Sequence, residues 1–551
     1  MKTISTILLT TILLSSSLLA KELTKPKESW ETGDSLNSKE QTVEKNSWKI
    51  SGTSETTGVY KYNSGQGANT DTNGNTIRQE LGLNARGDLG KGKAGIEMRG
   101  RATDDERVSK KKTELLYLRS FYTDDNLDIQ AGDVAQTYNP LIFSGTVKGA
   151  SVTYKQNLAK KQYIQYSVIG GTQASSWNDL VNHRANHTDT IAVDLKYQHA
   201  TAKIISFTLS GAKERASSEV KARVNDLNTS EAVAAGVKWN WRFNRYIKIK
   251  GEAAYTSTNT VATDDKKRSK FAGRVTFYTK PTKGINSNFK YERYASGFNT
   301  VVGSSTQDRE RLENTSTWSI TKALRSRMTL KGSRDNLDGH LGETQNIIDA
   351  LVSFNYRPEF MKRGDFGLRL QQVARKGRGD DTTQQNIGFD FTNSLKNGWN
   401  YGASYDFTDL DNRNDGNRSN KLQTLRAKLG WKTRYNEDHN FRASLKGDIS
   451  FYDEQTEDRK RYGGTVDAGW DYGTKFMLDM LYTTKNTDRD LGIDSSYELY
   501  QLISQYKPFG NTTHVLKLNL QRRENEGGNS TNPNANNYRE DEARLSYAFA
   551  F

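Results

Sequence analysis

Residues 537–551 read NYREDEARLSYAFAF. Side chains on a strand alternate between its two faces. Ala543, Leu545, Tyr547, Phe549 and Phe551 therefore fall on one side, and Glu542, Arg544, Ser546, Ala548 and Ala550 on the other. One face is apolar and ends in aromatics; the opposite face is small or charged. An ordinary soluble protein has little physical reason to finish on an exposed Phe.

This ending resembles the C-terminal strand of bacterial outer-membrane β-barrels, which commonly closes on an aromatic residue read by the assembly machinery. The resemblance implies that Tyr547, Phe549 and Phe551 form an assembly signal. It also implies that the barrel assembly machinery, outer-membrane lipid and lipopolysaccharide are partners. The location that follows is the outer membrane of a Gram-negative bacterium.

Composition supports a strand protein facing lipid on one side only. Hydrophobic residues make up 34% of the 551 residues, and mean hydropathy is −0.84. Such values by themselves point to a polar or disordered chain. Yet there are 27 Tyr, 20 Phe and 9 Trp. A barrel reconciles the two, because only alternate residues meet lipid. The start carries a secretory pattern: Lys2, an apolar run from Ile4 to Leu19, and a cleavage site at Ala20. We expect a signal peptide over 1–20, a flexible periplasmic lead over 21–47 and a barrel over 48–551. With no cysteine, disulfides and thiolate metal sites are excluded.

From Trp48 onward, tracts of roughly ten residues alternate apolar and polar, separated by Gly, Asn, Asp, Lys and Ser. They predict an all-β, single antiparallel up-and-down transmembrane barrel with an even number of strands, about 26 (22–26). Long connections, such as 173–189 and 523–536, mostly alternate with short ones, such as 124–126 and 157–161. An even count puts both termini in the periplasm, beside the short turns. All six prolines fall in the lead, loops or turns of this assignment, as strands require.

The polar face is basic. A charge on the lipid face costs ~2–4 kcal/mol at the bilayer midplane, so the charged set must face the lumen. The expected pore-lining residues are Arg86, Arg99, Arg101, Lys196, Lys238, Arg242, Lys248, Lys250, Lys290, Arg369, Arg426, Lys428, Arg442, Lys446, Lys517 and Arg544. Acidic members are fewer: Glu80, Glu97, Asp194, Glu252, Glu292, Asp448 and Glu542. A basic wall concentrates anions. Although the chain's formal charge is +15, nothing matches a groove-reading motif, so nucleic acid is not an expected partner.

Other motifs carry less. The glycines of GKGKAG, Gly90, Gly92 and Gly95, match a dinucleotide fingerprint, but a strand rather than a helix follows, so they mark a hairpin turn. His183 and His187 lack a third ligand, and Asp409, Asp411 and Asp415 form a broken calcium-loop pattern. We expect no metal, no cofactor and no catalytic residue.

The connection holding Leu141, Ile142 and Phe143 is too apolar for a solvated loop. It is expected to constrict the lumen or contact a partner, as is the loop from Trp177 to His187. The spacing of Gly132-Asp133, Phe143 and Lys148-Gly149 resembles a strand-loop-strand stretch of pilus ushers. Ushers carry a plug and soluble domains for which this sequence has no separate tract, and that family is not adopted. The expected function is a porin-like channel with a basic lumen, passing anionic or polar solutes. Two alternatives stay open. One is a sheath around a partner protein in the lumen, resembling the barrel of porin–cytochrome conduits. The other is an export pore for an acidic polysaccharide, resembling alginate exporters.

Overall fold

The alternating tracts become strands in the computed structural model. The structure describes residues 48–551 except 66–72, 106–111, 175–176, 178–179, 181–186, 200–202, 216–229, 261–267, 304–307, 338, 340–342, 362, 415–418, 455–456, 491–493, 509–512 and 528–536. The signal peptide and lead expected over 1–47, together with His183 and Asp415, lie outside the described residues.

The first strands are Lys49–Ser64 (β1), Gly74–Leu89 (β2), Gly92–Thr103 (β3) and Thr113–Thr123 (β4). A hairpin follows from Leu127–Thr137 (β5) and Ser144–Ala159 (β6). Next come Gln162–Gln173 (β7), His187–His199 (β8), Lys203–Arg215 (β9), Ser230–Arg242 (β10), Ile247–Thr260 (β11), Arg268–Thr282 (β12) and Ile285–Tyr294 (β13). The remainder are Arg309–Ser319 (β14), Leu324–Asp335 (β15), Asn346–Tyr356 (β16), Gly364–Gly377 (β17), Asp380–Ser394 (β18), Trp399–Asn412 (β19), Asn420–Arg434 (β20), His439–Glu454 (β21), Asp458–Tyr472 (β22), Phe476–Arg489 (β23), Ser495–Tyr506 (β24), His514–Glu526 (β25) and Tyr538–Ala550 (β26).

All 26 strands belong to one sheet. Each is antiparallel to its sequence neighbours, and β26 returns to β1 over Thr53↔Ala550 to Ser64↔Arg539. The sheet therefore has no free edge, which is how a β protein satisfies its backbone in hydrocarbon. Phe551 completes the seam. Its N–H donates to the Gly52 carbonyl at 3.0 Å, and its carbonyl accepts from the Gly52 N–H at 2.8 Å.

Connections from even to odd strands are mostly brief, for instance 90–91, 160–161 and 283–284. Those from odd to even strands include 174–186, 216–229, 295–308 and 527–537. The start of β1 and the end of β26 both lie at the rim of brief turns. Exposed aromatics gather on the outer face at that rim, with Trp48, Trp241, Trp318 and Trp399 among them. A second set, with Tyr60, Tyr62, Phe451 and Tyr462, lies toward the opposite rim. These are the interfacial girdles of a membrane barrel.

Two expectations need correction. Pro281 is inside β12 rather than in a turn, but the ladder to β13 shifts between Thr279 and Thr282, so its missing N–H breaks no pair. Asp409 and Asp411 lie on β19 rather than in a loop, because pairing with β18 extends to Asn412.

The division of faces is testable within one strand. Leu425 is 52% exposed on the outer face of β20, whereas Leu422 points to the other side. Leu425→Arg should destabilise the barrel by ~2–4 kcal/mol, and Leu422→Arg by much less. Heat-dependent gel mobility of the reconstituted protein reads both.

Candidate pore and its inward-folded hairpin

Cross-strand partners in an antiparallel ladder share a face. Tracing partners from Lys238 to Glu252, Arg274, Glu292 and Arg311, and on around the closed ring, returns to the same face of β10. Every basic residue expected in the lumen, from Arg86 to Arg544, sits on that face. The outer face carries Leu445, Leu425, Val466, Leu545 and similar exposed apolar residues.

Many of these cations are paired. Arg86 meets Glu97 at 2.5 Å, Arg101 meets Glu114 at 2.8 Å, Lys290 meets Glu292 at 2.6 Å and Arg544 meets Glu542 at 3.0 Å. Asp406 is shared by Arg369 at 2.6 Å and Arg426 at 2.5 Å. Arg442 contacts Asp471 at 2.7 Å and also Asp479; Lys446 stands 3.8 Å from Asp467. Lys196 donates to the Tyr163 hydroxyl at 3.0 Å, and Lys238 to the Tyr138 carbonyl at 3.1 Å. Among the described residues, Arg99, Arg242, Lys248, Lys250, Lys428 and Lys517 make no ion pair.

Sequence reading missed several of the acids. Asp467, Asp471 and Asp479 lie on the inner faces of β22 and β23, where Met477 and Leu481 also point inward. Mixed faces of that kind blur the alternation on which the assignment relied.

The lumen also contains a hydrophobic core built from the chain itself. β5 pairs with β4 only from Thr123↔Asp128 to Arg119↔Gly132. Gly132 has φ +103°, and a Cβ there would stand 2.1 Å from the Leu118 carbonyl oxygen. No other residue fits this crease. Beyond it, β5 and β6 leave the wall and turn inward.

At the hairpin tip, Asn139 caps the turn. Its backbone carbonyl accepts from Ile142 and Phe143 N–H, both at 2.8 Å, and its side-chain oxygen accepts from Leu141 N–H at 3.1 Å. Its amide nitrogen donates to the carbonyls of Val237 and Ala253, at 3.3 and 3.4 Å. Leu141, Ile142 and Phe143 are each 0% exposed. They pack with Val134, Tyr138 and Val147 against Ile169, Ala192, Ala212, Ala234, Ala254 and Ala272 of the wall. A Cβ at Gly236 would lie 2.7 Å from Ile142 Cδ1, so the wall is pared to backbone there.

Residues 298–302 of the connection after β13 close over the tip. Phe298 and Val302 are buried in the same core, and the Val302 carbonyl accepts from Ser144 N–H at 3.2 Å. The run of alanines on the otherwise polar face of β8–β12 was the sequence signal for this seat.

Where β5 leaves β4, polar groups stop the gap. Asp133 accepts from the Leu118 backbone N–H at 2.8 Å, from Trp177 Nε1 at 2.6 Å and from Lys148 Nζ at 2.7 Å. The Lys148 ammonium also lies 5.0 Å from the Trp177 ring centroid. Trp177 thus belongs to the hairpin's support; of the loop expected to join it, residues 178–179 and 181–186 lie outside the described residues.

A closed strand ring, an apolar outer band between two aromatic girdles and a charged inner face define a transmembrane β-barrel of the outer-membrane class. No protein-family model and no curated protein matches the chain. Solved structures offer distant likenesses. The ferric enterobactin receptor PfeA of Pseudomonas aeruginosa is 9% identical with a TM-score of 0.42, over 91% of this chain and 80% of that one. The translocation pore of the P pilus usher PapC is 10% identical with a TM-score of 0.35, over 91% and 99%. Pseudomonas aeruginosa OccK2 (OpdF) in complex with glucuronate is 10% identical with a TM-score of 0.28, over 92% and 98%. None is near enough to lend this chain a substrate.

The Asp133–Lys148 pair gives a prediction. Their side chains are only 5% and 6% exposed. Removing one partner of such a pair costs ~3–5 kcal/mol, because the other charge is left buried. Asp133→Ala and Lys148→Ala should each lower the unfolding temperature and open the hairpin to protease. The double substitution should cost less than the sum of the two.

Proposed function

We propose that this protein is a channel of the Gram-negative outer membrane that passes anionic or polar solutes down their gradients. The observation carrying the reading is the single inner face, on which basic residues outnumber the acids that neutralise them locally. Such a surface raises the local concentration of anions. The short-turn rim, holding both ends of the barrel, is periplasmic in this reading, and the longer connections face outward toward lipopolysaccharide. Tyr547, Phe549 and Phe551, at the closing seam, are what the barrel assembly machinery reads. No group acts as a catalyst.

The inward hairpin is the channel's constriction. Twenty-six strands at ~4.8 Å spacing and ~40° tilt close into a cylinder roughly 50 Å across. Left empty, a hole of that width would not retain periplasmic proteins. Filling by Leu141, Ile142 and Phe143 from within the chain favours a gated channel over a sheath around another protein.

Reversal potentials in planar bilayers at asymmetric salt test the selectivity. The unmodified protein should prefer anions, and Glu at Lys248, Lys250, Arg426, Lys428, Arg442 and Lys446 should reverse the preference. Cation preference in the unmodified protein would overturn the proposal. Deleting residues 139–143 should raise single-channel conductance; unchanged, narrow, uniform pores would remove the hairpin from the gating role.

A further inference from the structure

Some cations of the wall face one another across the ladder: Lys428 lies opposite Lys446 and Lys432 opposite Arg442, but there Asp467 stands 3.8 Å from Lys446 and Asp471 2.7 Å from Arg442. A second such place has no carboxylate in its lining. Arg242 on β10 lies directly across from Lys248 on β11, and Lys250 follows two residues along the same face. Like charges placed directly opposite each other destabilise a sheet. The only carboxylate on this face of the two strands at this end is Glu252, and it is taken by Arg274 of β12. The next partners, Tyr278 and Asn288, are neutral. The cations instead lean on an aromatic ring: Lys248 and Lys250 Nζ lie 5.9 and 5.5 Å from the Tyr278 centroid.

These groups surround a real space. A cavity of about 600 Å³ opens between β10 and β14, near the short-turn rim. Arg245 and Lys280 also line it, and no carboxylate does. Its uncharged polar lining includes Asn288 and Thr315, whose amide nitrogen and hydroxyl are able to donate to oxygen atoms. Lys248 and Lys250 are half-buried and Arg242 is exposed beside them; like charges held together without a counter-ion are relieved by a bound anion.

We propose that this cavity is a binding site for a soluble, multiply charged oxyanion such as a polyphosphate or polycarboxylate. Arg242, Lys248 and Lys250 supply the charge, and the amide and hydroxyl groups orient the oxygens. The proposal deepens the anion-channel reading by giving the lumen a localised stop for its solute, distinct from a diffuse field.

The test is calorimetric titration of inorganic pyrophosphate into the full chain in a zwitterionic detergent at low salt. Saturable binding is expected. Lys248→Gln with Lys250→Gln should weaken it roughly tenfold or more. Lys475→Gln with Lys507→Gln, which removes the same charge from turns elsewhere on that rim, should leave it within about twofold. Gel mobility checks that both variants fold. Equal weakening in both pairs, or no saturable binding to the unmodified protein, overturns the site. Loss of pyrophosphate binding on adding anionic phospholipid assigns the cavity to a lipid phosphate and overturns the soluble ligand. Anion selectivity is read separately from the reversal potential, so a failed site and a failed channel reading give different results.

Discussion

In hydrocarbon, a backbone N–H or C=O without a partner costs several kcal/mol. The architecture follows from that constraint. A ring of antiparallel strands leaves no edge, and the β1–β26 pairing, extended by Phe551 against Gly52, is what makes the ring complete. The place where a strand pair parts company follows the same rule. Where β5 leaves β4 at Gly132, the Leu118 N–H is taken up by the Asp133 carboxylate, which is held in turn by Lys148 and Trp177.

The strand order was legible because lipid enforces alternation. On β20 and β21, Leu425, Leu445 and Phe451 are separated by Arg426, Lys446 and Ser450, and a one-residue slip would put charge against acyl chains. The lumen imposes no such rule. Met477 and Leu481 share its face with Asp479, so acids on these strands were harder to assign. The apolar tip Leu141–Phe143 was conspicuous in the sequence, but its seat was not. That seat is assembled from alanines on several strands, and only the register brings Ala234, Ala254 and Ala272 under one side chain cluster. Phe298 and Val302 were hidden for a similar reason, since nothing local distinguishes a connection that folds inward from one that extends.

The two faces of the wall work on different physics. Outward apolar residues gain little from contact with one another, because lipid is as apolar as they are. Inside, the lumen is polar, so the hydrophobic effect drives Leu141, Ile142 and Phe143 into their seat, at roughly 1.5–3 kcal/mol for each side chain. The barrel therefore has an inside-out hydrophobic face for the membrane and a second, ordinary hydrophobic core within it. The core occupies one side of the lumen, against β7–β13. The facing arc carries the ion-pair networks around Asp406 and Arg442.

The hairpin seat also fixes an order of events during biogenesis. Asn139 bonds to carbonyls that lie 98 and 114 residues later in the chain. Its apolar neighbours cannot be covered until β10 and β11 stand in the sheet, and the 295–308 connection comes later still. Contacts of such sequence separation form late, after their loop-closure entropy has been met. Until then, Leu141, Ile142 and Phe143 are a sticky end on an unfinished barrel. Seating of the hairpin thus follows the assembly of β10 and β11, and until then its apolar tip stays exposed.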